Sequence, residues 1–294
     1  MNTKIIPVIN LKGGVGKSTT AVAVATILSG DFSKNVLLID LDPQTNATVM
    51  LIGEEKWAEL NRNGLTLYTL FRNALDGLGQ VDISTIIQKG VSNIYEVRSL
   101  DLLPSSLDMV DLQDRIASAS QRNFSWCQPT DILMHAMKDI VSQYDYVIID
   151  CPPNLGLITL NGLRIADGYV IPTIPDFMST YGIPQIINRV NKFATSIGKF
   201  IPCYGVIATK VRVQSRLHMT TIRHLEKAPD APLFDSIINE SARIGEAAEY
   251  TPYCSLLRQK WGDRKQYLQL KALTSELIDK TGGAAWLSQL SFQA

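Results

Sequence analysis

Two lysines bracket a run of glycines near the start of the chain. Lys12-Gly13-Gly14-Val15-Gly16-Lys17-Ser18-Thr19 follows a short β-branched run at residues 5–9 and precedes a helical pattern at residues 19–28. Glycines in a strand-to-helix turn let backbone N–H groups close on phosphate oxygens without Cβ clashes, and the helix N-terminus adds a favourable dipole. In that setting Lys17 is the cation for the outer phosphates and the Ser18 hydroxyl is a ligand for Mg²⁺. Gly13, Gly14, Val15, Gly16, Lys17, Ser18 and Thr19 thus form a predicted phosphate cradle. The ordinary pattern, G-x-x-x-x-G-K-[ST], would need glycine at position 11. That position is Leu11, and Lys12 is an additional cation. With one lysine already serving phosphate in cis, Lys12 is either a cation supplied to the nucleotide of a second subunit or a solvated lysine at the loop edge.

Carboxylates complete the chemistry. The apolar run at residues 36–39 ends in Asp40-Leu41-Asp42-Pro43, and that at residues 146–149 ends in Asp150-Cys151-Pro152-Pro153. Ligands of open α/β sheets bind at the carboxyl ends of the strands, so Asp40, Asp42 and Asp150 are expected to converge on the phosphate loop. Asp150 has the place of the acid that holds Mg²⁺ directly or through water. Asp40 and Asp42 would share a face if the strand continued, but Pro43 ends it and lets them diverge. One of the pair then lies near Mg²⁺ while the other positions the attacking water.

The elements that must position these groups follow from the apolar runs. Further strands are expected at residues 100–103, 168–174 and 204–209, and helices at residues 65–75 and 107–119. Val- and Ile-rich strands without polar alternation, separated by helical patterns, imply an α/β fold with a doubly wound, mostly parallel sheet flanked by helices. No Pro- or Ser-rich linker, low-complexity tract or repeat interrupts the chain. It reads as a single domain over residues 1–294 with a helical C-terminal portion at roughly 255–294.

Composition narrows the partners. Of 294 residues, 46% are hydrophobic and 19% charged, which excludes a wholly disordered chain. Lys plus Arg equals Asp plus Glu at 28 each, so no overall positive excess holds the molecule on nucleic acid or an acidic membrane. The balance is uneven, with 13 basic and 9 acidic residues in 199–294 against 15 and 19 in 1–198. The last third is therefore the place for a polyanion. Within it, residues 256–271 hold Arg258, Lys260, Arg264, Lys265 and Lys271 against one acid, Asp263. Read as one helix, residues 256–271 put Lys260, Arg264 and Lys271 on one stripe and Leu257, Trp261 and Leu268 on another, docking by the apolar face with cations outward. Cys127, Cys151, Cys203 and Cys254 have no CxxC spacing, which suits a reduced, cytosolic protein. His135, His218 and His224 form no metal-ligand pattern.

In combination, residues 12–19, the string Asp40-Leu41-Asp42-Pro43-Gln44-Thr45-Asn46, and Asp150-Cys151-Pro152-Pro153-Asn154-Leu155-Gly156 with Asn161, Ala166 and Asp167 resemble the ParA/Soj/MinD family of deviant Walker A ATPases, closest to the ParA branch. The resemblance implies a P-loop NTPase fold, with ATP and Mg²⁺ bound and a sandwich homodimer formed on ATP binding. It implies that Lys12 contacts the partner's nucleotide, that Lys17 binds phosphate in cis, that Asp42 supports hydrolysis and that Asp40 and Asp150 lie around the magnesium. It also implies non-specific DNA binding by the ATP dimer, with Arg243, and also Arg212 and Arg216, joining the basic residues near the C-terminus. Slow hydrolysis would be stimulated by a ParB-like or other cargo adaptor, and the protein would be cytoplasmic and nucleoid-associated. The cargo would be a plasmid, a chromosome region or a protein body such as a carboxysome. The chain departs from the family at Ile238-Asn239-Glu240, where such chains carry a proline and a basic residue. A MinD-like membrane ATPase is one alternative, but the tail at residues 286–292 carries no cation, so no stable membrane association is expected. A small-molecule kinase or ligase using the same loop is the other.

Overall fold

Strands form where the sequence is apolar on both sides of the pleat. They are β1 (Lys4–Val8), β2 (Val36–Asp40), β3 (Leu100–Leu103), β4 (Tyr146–Asp150), β5 (Tyr169–Thr173) and β6 (Cys203–Ala208). The computed structural model describes residues 3–79, 81–112, 115, 128–228 and 231–282, with Asp263 and Arg264 described by backbone alone. All six strands join one sheet in the order β3-β2-β4-β1-β5-β6, and every pairing is parallel. The chain leaves β1 toward β2 and leaves the neighbouring β4 in the opposite direction, toward β5. The carboxyl ends of β1 and β4 therefore flank a crevice at a topological switch point, where ligands of such sheets bind.

Helices cover both faces. They are α1 (Lys17–Gly30), α2 (Asn46–Arg62), α3 (Leu67–Asp76), α4 (Ile132–Met137), α5 (Leu157–Ile165), α6 (Phe177–Tyr181), α7 (Ile183–Ser196), α8 (Arg216–Leu225), α9 (Ala242–Glu246), α10 (Leu257–Trp261) and α11 (Asp263–Gly282). Period-two alternation sends Leu38 and Ile148 to one face, where they pack with Ala21, Ile27 and Leu28 of α1 and Leu273 of α11. Leu37, Ile39, Val147 and Ile149 face the other way, onto Phe71, Leu163 and Ile186. Sheet on one side and α11 on the other leave α1 buried almost all round, as its uniformly apolar sequence requires. Trp261 and Tyr267 bind the C-terminal helices to α1 by hydrogen bonds to Thr26 and Asp31 at 3.1 and 2.6 Å. The arrangement is that of a P-loop NTPase, as the strand, loop and helix pattern leads one to expect.

One expected helix is met in part and another is divided. Of the helix expected at residues 107–119, residues 109–112 and 115 are helical, and residues 113–114 and 116–119 lie outside the described residues. The single helix expected at residues 256–271 is two helices, because Gly262 adopts φ 79° and resets the direction and phase of the chain between α10 and α11. A Cβ at Gly262 would also stand 2.7 Å from Cβ of Arg243, so the close approach as well as the torsion needs glycine.

Candidate functional site

The loop between β1 and α1 forms as its glycines dictate. Gly14 and Gly16 have φ 76° and 87°, and Gly16 serves as the left-handed N-cap of α1, whose own side chain offers no cap to the first-turn N–H groups. Those groups are left for an anion. Lys17, at the first helical position, is buried and donates from Nζ to the carbonyl oxygen of Lys12 at 3.1 Å, so its ammonium lies under the loop. Burial lowers its pKa, opposed by the negative charges of Asp150 and Asp42. Gly13, Gly14, Gly16, Lys17, Ser18 and Thr19 line a cleft of about 280 Å³ with Asp42, Gln44, Asn46, Pro153 and Lys210. Val15, wholly buried, instead anchors the loop by accepting from Thr209 Oγ1 at 2.8 Å.

Of the three carboxylates, Asp42 lines this cleft, while Asp40 and Asp150 lie buried near it. Asp40 and Asp150 are register partners on β2 and β4, and both are wholly buried. Asp40 is well partnered, accepting from Thr48 N and Thr48 Oγ1 at 2.8 and 2.7 Å and from Asp42 N at 3.1 Å. Burial nonetheless raises its pKa to about 7, against the hydrogen bonds from Thr48. Neither carboxylate oxygen of Asp150 has a hydrogen-bond partner. The Ser18 hydroxyl is near enough to favour its charged form but does not meet hydrogen-bond geometry. Burial and the neighbouring Asp40 push the Asp150 carboxyl well above the ordinary range. Asp42 diverges at Pro43 as expected, accepting from Gln44 N at 3.0 Å and lining the open cleft.

These groups suit a magnesium ion accompanied by phosphate. An orphaned buried carboxylate beside a hydroxyl and under a phosphate loop is the donor set of an ion held by one or two carboxylates, phosphate oxygens and water. Among the described residues no three His, Cys, Asp or Glu side chains are placed to hold a metal ion by themselves. Ser18 and Asp150 would hold it, with Asp40 behind them.

Lys12 stands apart. Its backbone N donates to Asn10 Oδ1 at 2.9 Å, but its ammonium is turned away from the cleft to Ser179 Oγ at 2.8 Å and the Asp176 carboxylate at 3.4 Å. Asn10, Thr48, Asp176 and Ser179 carry no expectation from the sequence, and Thr209 and Lys210 belong to a stretch, residues 209–216, that resembles the family's base-pocket segment only loosely. Asp176 with Ser179 has the spacing of a helix N-cap after a strand, which was the available signal. Lys210 lies in the left-handed region and donates to the Gly14 carbonyl at 2.8 Å, a contact with no local sequence mark.

The expected basic surface is only partly brought together. Arg243 and Arg258 line one cleft of about 390 Å³ with Glu246, Tyr253 and Gly262. Lys260, expected to point outward, is instead buried, its ammonium donating to the Glu249 carbonyl at 2.7 Å. Leu268, expected in the apolar seam, is exposed. Lys260 is buried because it stands at i+3 from Leu257 and next to Trp261, on the inward face of α10, whereas Leu268 lies beyond the break at Gly262, which gives the second segment its own phase. Lys265 is exposed, and the side chain of Arg264 lies outside the described residues. Lys271 pairs with Asp31 at 3.3 Å and Arg212 with Glu240 at 2.9 Å. The tail at residues 286–292 lies outside the described residues, and among those described no helix is long and apolar enough to cross a membrane.

A family profile described as an AAA domain matches residues 3–202. The sporulation initiation inhibitor protein Soj of Bacillus subtilis is 30% identical over 247 residues, covering 84% of this chain and 88% of that protein. The chromosome partitioning protein ParA of Caulobacter vibrioides is 26% identical over 286 residues, covering 96% of this chain and 98% of that protein. Among solved structures, the ATP complex of a McdA variant from Cyanothece is similar in fold, with TM-score 0.74 and 23% identity over 96% of this chain and 97% of the other.

Proposed function

Because the chain belongs to the ParA/Soj/MinD family of ATPases, we propose that it hydrolyses ATP with magnesium, forms an ATP-dependent sandwich dimer and binds DNA non-specifically in that state. Hydrolysis stimulated by a ParB-like or other adaptor protein would then release it, positioning a plasmid, a chromosome region or a protein body such as a carboxysome.

The observation that carries this reading is the division between the two loop lysines. Lys17 lies beneath the cradle, whereas the Lys12 ammonium is directed out of it, to Ser179 at 2.8 Å. A lysine at the loop edge that does not serve phosphate in cis is free for the nucleotide of a second subunit, where an added cation stabilises charge on the transferring phosphoryl group. Lys17 and the N–H groups of the loop bind the phosphates, Asp42 orients water at the mouth of the cleft, and Ser18 and Asp150 hold the ion. When bound, magnesium supplies charge neutralisation on the phosphate oxygens. Little beyond positioning is needed for transfer to water. Arg243, Arg258 and Lys265 are the cations offered to DNA, and a dimer presents them twice.

The test is light scattering with ATP, with ADP and without nucleotide, alongside binding to random-sequence duplex DNA at two salt concentrations. A dimer with ATP alone, and salt-sensitive DNA binding by that dimer alone, is the expected result. A monomer in all three states that passes phosphate to something other than water would replace this reading with a small-molecule kinase or ligase. Binding to anionic vesicles in place of DNA would replace it with a MinD-like membrane ATPase.

A further inference from the structure

We propose that Asp176 and Ser179 are positioning residues for Lys12, holding its ammonium in cis until a second subunit arrives and thereby setting the ATP concentration at which the dimer forms. The proposal rests on the dimer reading above and deepens it.

The two acceptors are built in place before Lys12 reaches them. Asp176 caps α6, its Oδ1 accepting from Ser179 N at 2.6 Å and its carbonyl from Thr180 Oγ1 at 2.9 Å. Ser179 is almost wholly buried, and its carbonyl accepts from Thr173 Oγ1 at 3.2 Å. Burial alone would raise the Asp176 pKa, but the hydrogen bonds from Ser179 and the charge of Lys12 hold it below the ordinary range. The root of Lys12 is fixed as well. Asn10 accepts from its backbone N and donates to the Pro172 carbonyl at 2.7 Å, tying the loop to β5, the strand that leads into α6. Only the flexible stem and ammonium of Lys12 remain to swing.

The contact is specific yet weak. Its ammonium makes one short hydrogen bond, to Ser179, and a looser pair with Asp176 whose side chains are 41% and 29% exposed. Partly exposed pairs of this kind contribute little net stability. A polyphosphate in a second subunit, desolvated by the interface, is a stronger attractor for the same cation. An interaction present only in the monomer opposes the dimer by its own equilibrium constant, so removing it lowers the ligand concentration needed for assembly. The latch differs from a dimer contact in sign, because losing a dimer contact would raise that concentration.

The full-length double variant Asp176→Asn with Ser179→Ala tests this, since asparagine keeps the helix cap while removing the charge. The readout is the ATP concentration giving half-maximal dimer in light scattering. It is expected to fall about three- to tenfold, with the affinity of the monomer for ADP unchanged. In a Lys12→Ala background the same two substitutions are expected to produce no shift, which a general structural effect would not reproduce. An unchanged or raised midpoint in the Lys12 chain, or an equal shift in the Lys12→Ala chain, overturns the proposal. Should the double variant misfold, Ser179→Ala alone applies the same criteria with a smaller shift. A parent chain that stays monomeric with ATP overturns the dimer reading itself, an outcome distinct from a parent that dimerises and variants that match it.

Discussion

Asp150 is the side chain whose state is least explicable without a ligand. A wholly buried carboxylate with neither oxygen partnered is destabilising in the free protein, and here it also faces Asp40 across the β2–β4 register. Asp150→Asn is therefore expected to stabilise the nucleotide-free chain by about 1–3 kcal/mol, a rise of a few degrees in Tm by thermal unfolding. The same change should abolish the magnesium dependence of nucleotide binding, measured by titration with and without the ion. Asp40 gives the pH dependence. Its folded pKa is about 7 against an ordinary 3.8, so between those values the folded chain keeps a proton that the unfolded chain has released. Stability of the nucleotide-free protein should thus fall as pH rises through that window, Asp150 acting in the same direction, and Tm measured from about pH 4 to 8 should have a shallower but still falling slope in Asp40→Asn. Asp42 differs from both in lining the cleft, although it too is largely buried. Asp42→Ala is expected to slow hydrolysis by about 10²-fold or more while leaving ATP-dependent dimers intact and longer lived. Hydrolysis at the parental rate would remove Asp42 from the water-positioning role.

At the scale of elements, the strands and the loop they carry were legible because each depends on short-range pattern. Apolar runs ending in Asp40 and Asp150 predicted strand ends that do lie side by side, and the glycines predicted a cradle that does open onto a cleft. What escaped depends on partners distant in sequence. Lys12 meets Asp176 and Ser179 across more than 160 positions, and Thr209 reaches Val15 across 194. No local periodicity records such contacts. The C-terminal helix failed for another reason. Of the stripes expected at residues 256–271, Leu257 and Trp261 are buried as read, but Lys260 is buried beside them and Leu268 is exposed; the left-handed torsion at Gly262 is a property of the fold, where the chain passes close to Arg243. Gly262→Ala would place a Cβ against Arg243 in a torsion that alanine disfavours. It is expected to destabilise the chain by about 1–3 kcal/mol, read as a lowered Tm, and to weaken DNA binding by displacing Arg258 relative to Arg243.

Over the whole molecule, equal numbers of acidic and basic residues mean that any hold on DNA must come from a local concentration of cations rather than from net charge. Arg243, paired with Glu246 at 3.3 Å, and Arg258 are the exposed cations of one cleft, whereas Lys260 lines the same cleft but is buried. Burial lowers the Lys260 pKa, and its ammonium is spent on the Glu249 carbonyl. Counterion release turns this difference into a measurable one, because each phosphate neutralised contributes about −0.9 to the slope of log affinity against log salt on duplex DNA. In a dimer each substitution acts twice. Arg243→Ala or Arg258→Ala should therefore make the slope shallower by about two with ATP bound, at unchanged Tm. Lys260→Ala should leave the slope as it is and lower Tm, since it empties a packed position beside Trp261. A slope moved by Lys260→Ala and untouched by the two arginine variants would put the polyanion on a different surface, reached only if α10 moves when ATP closes the dimer.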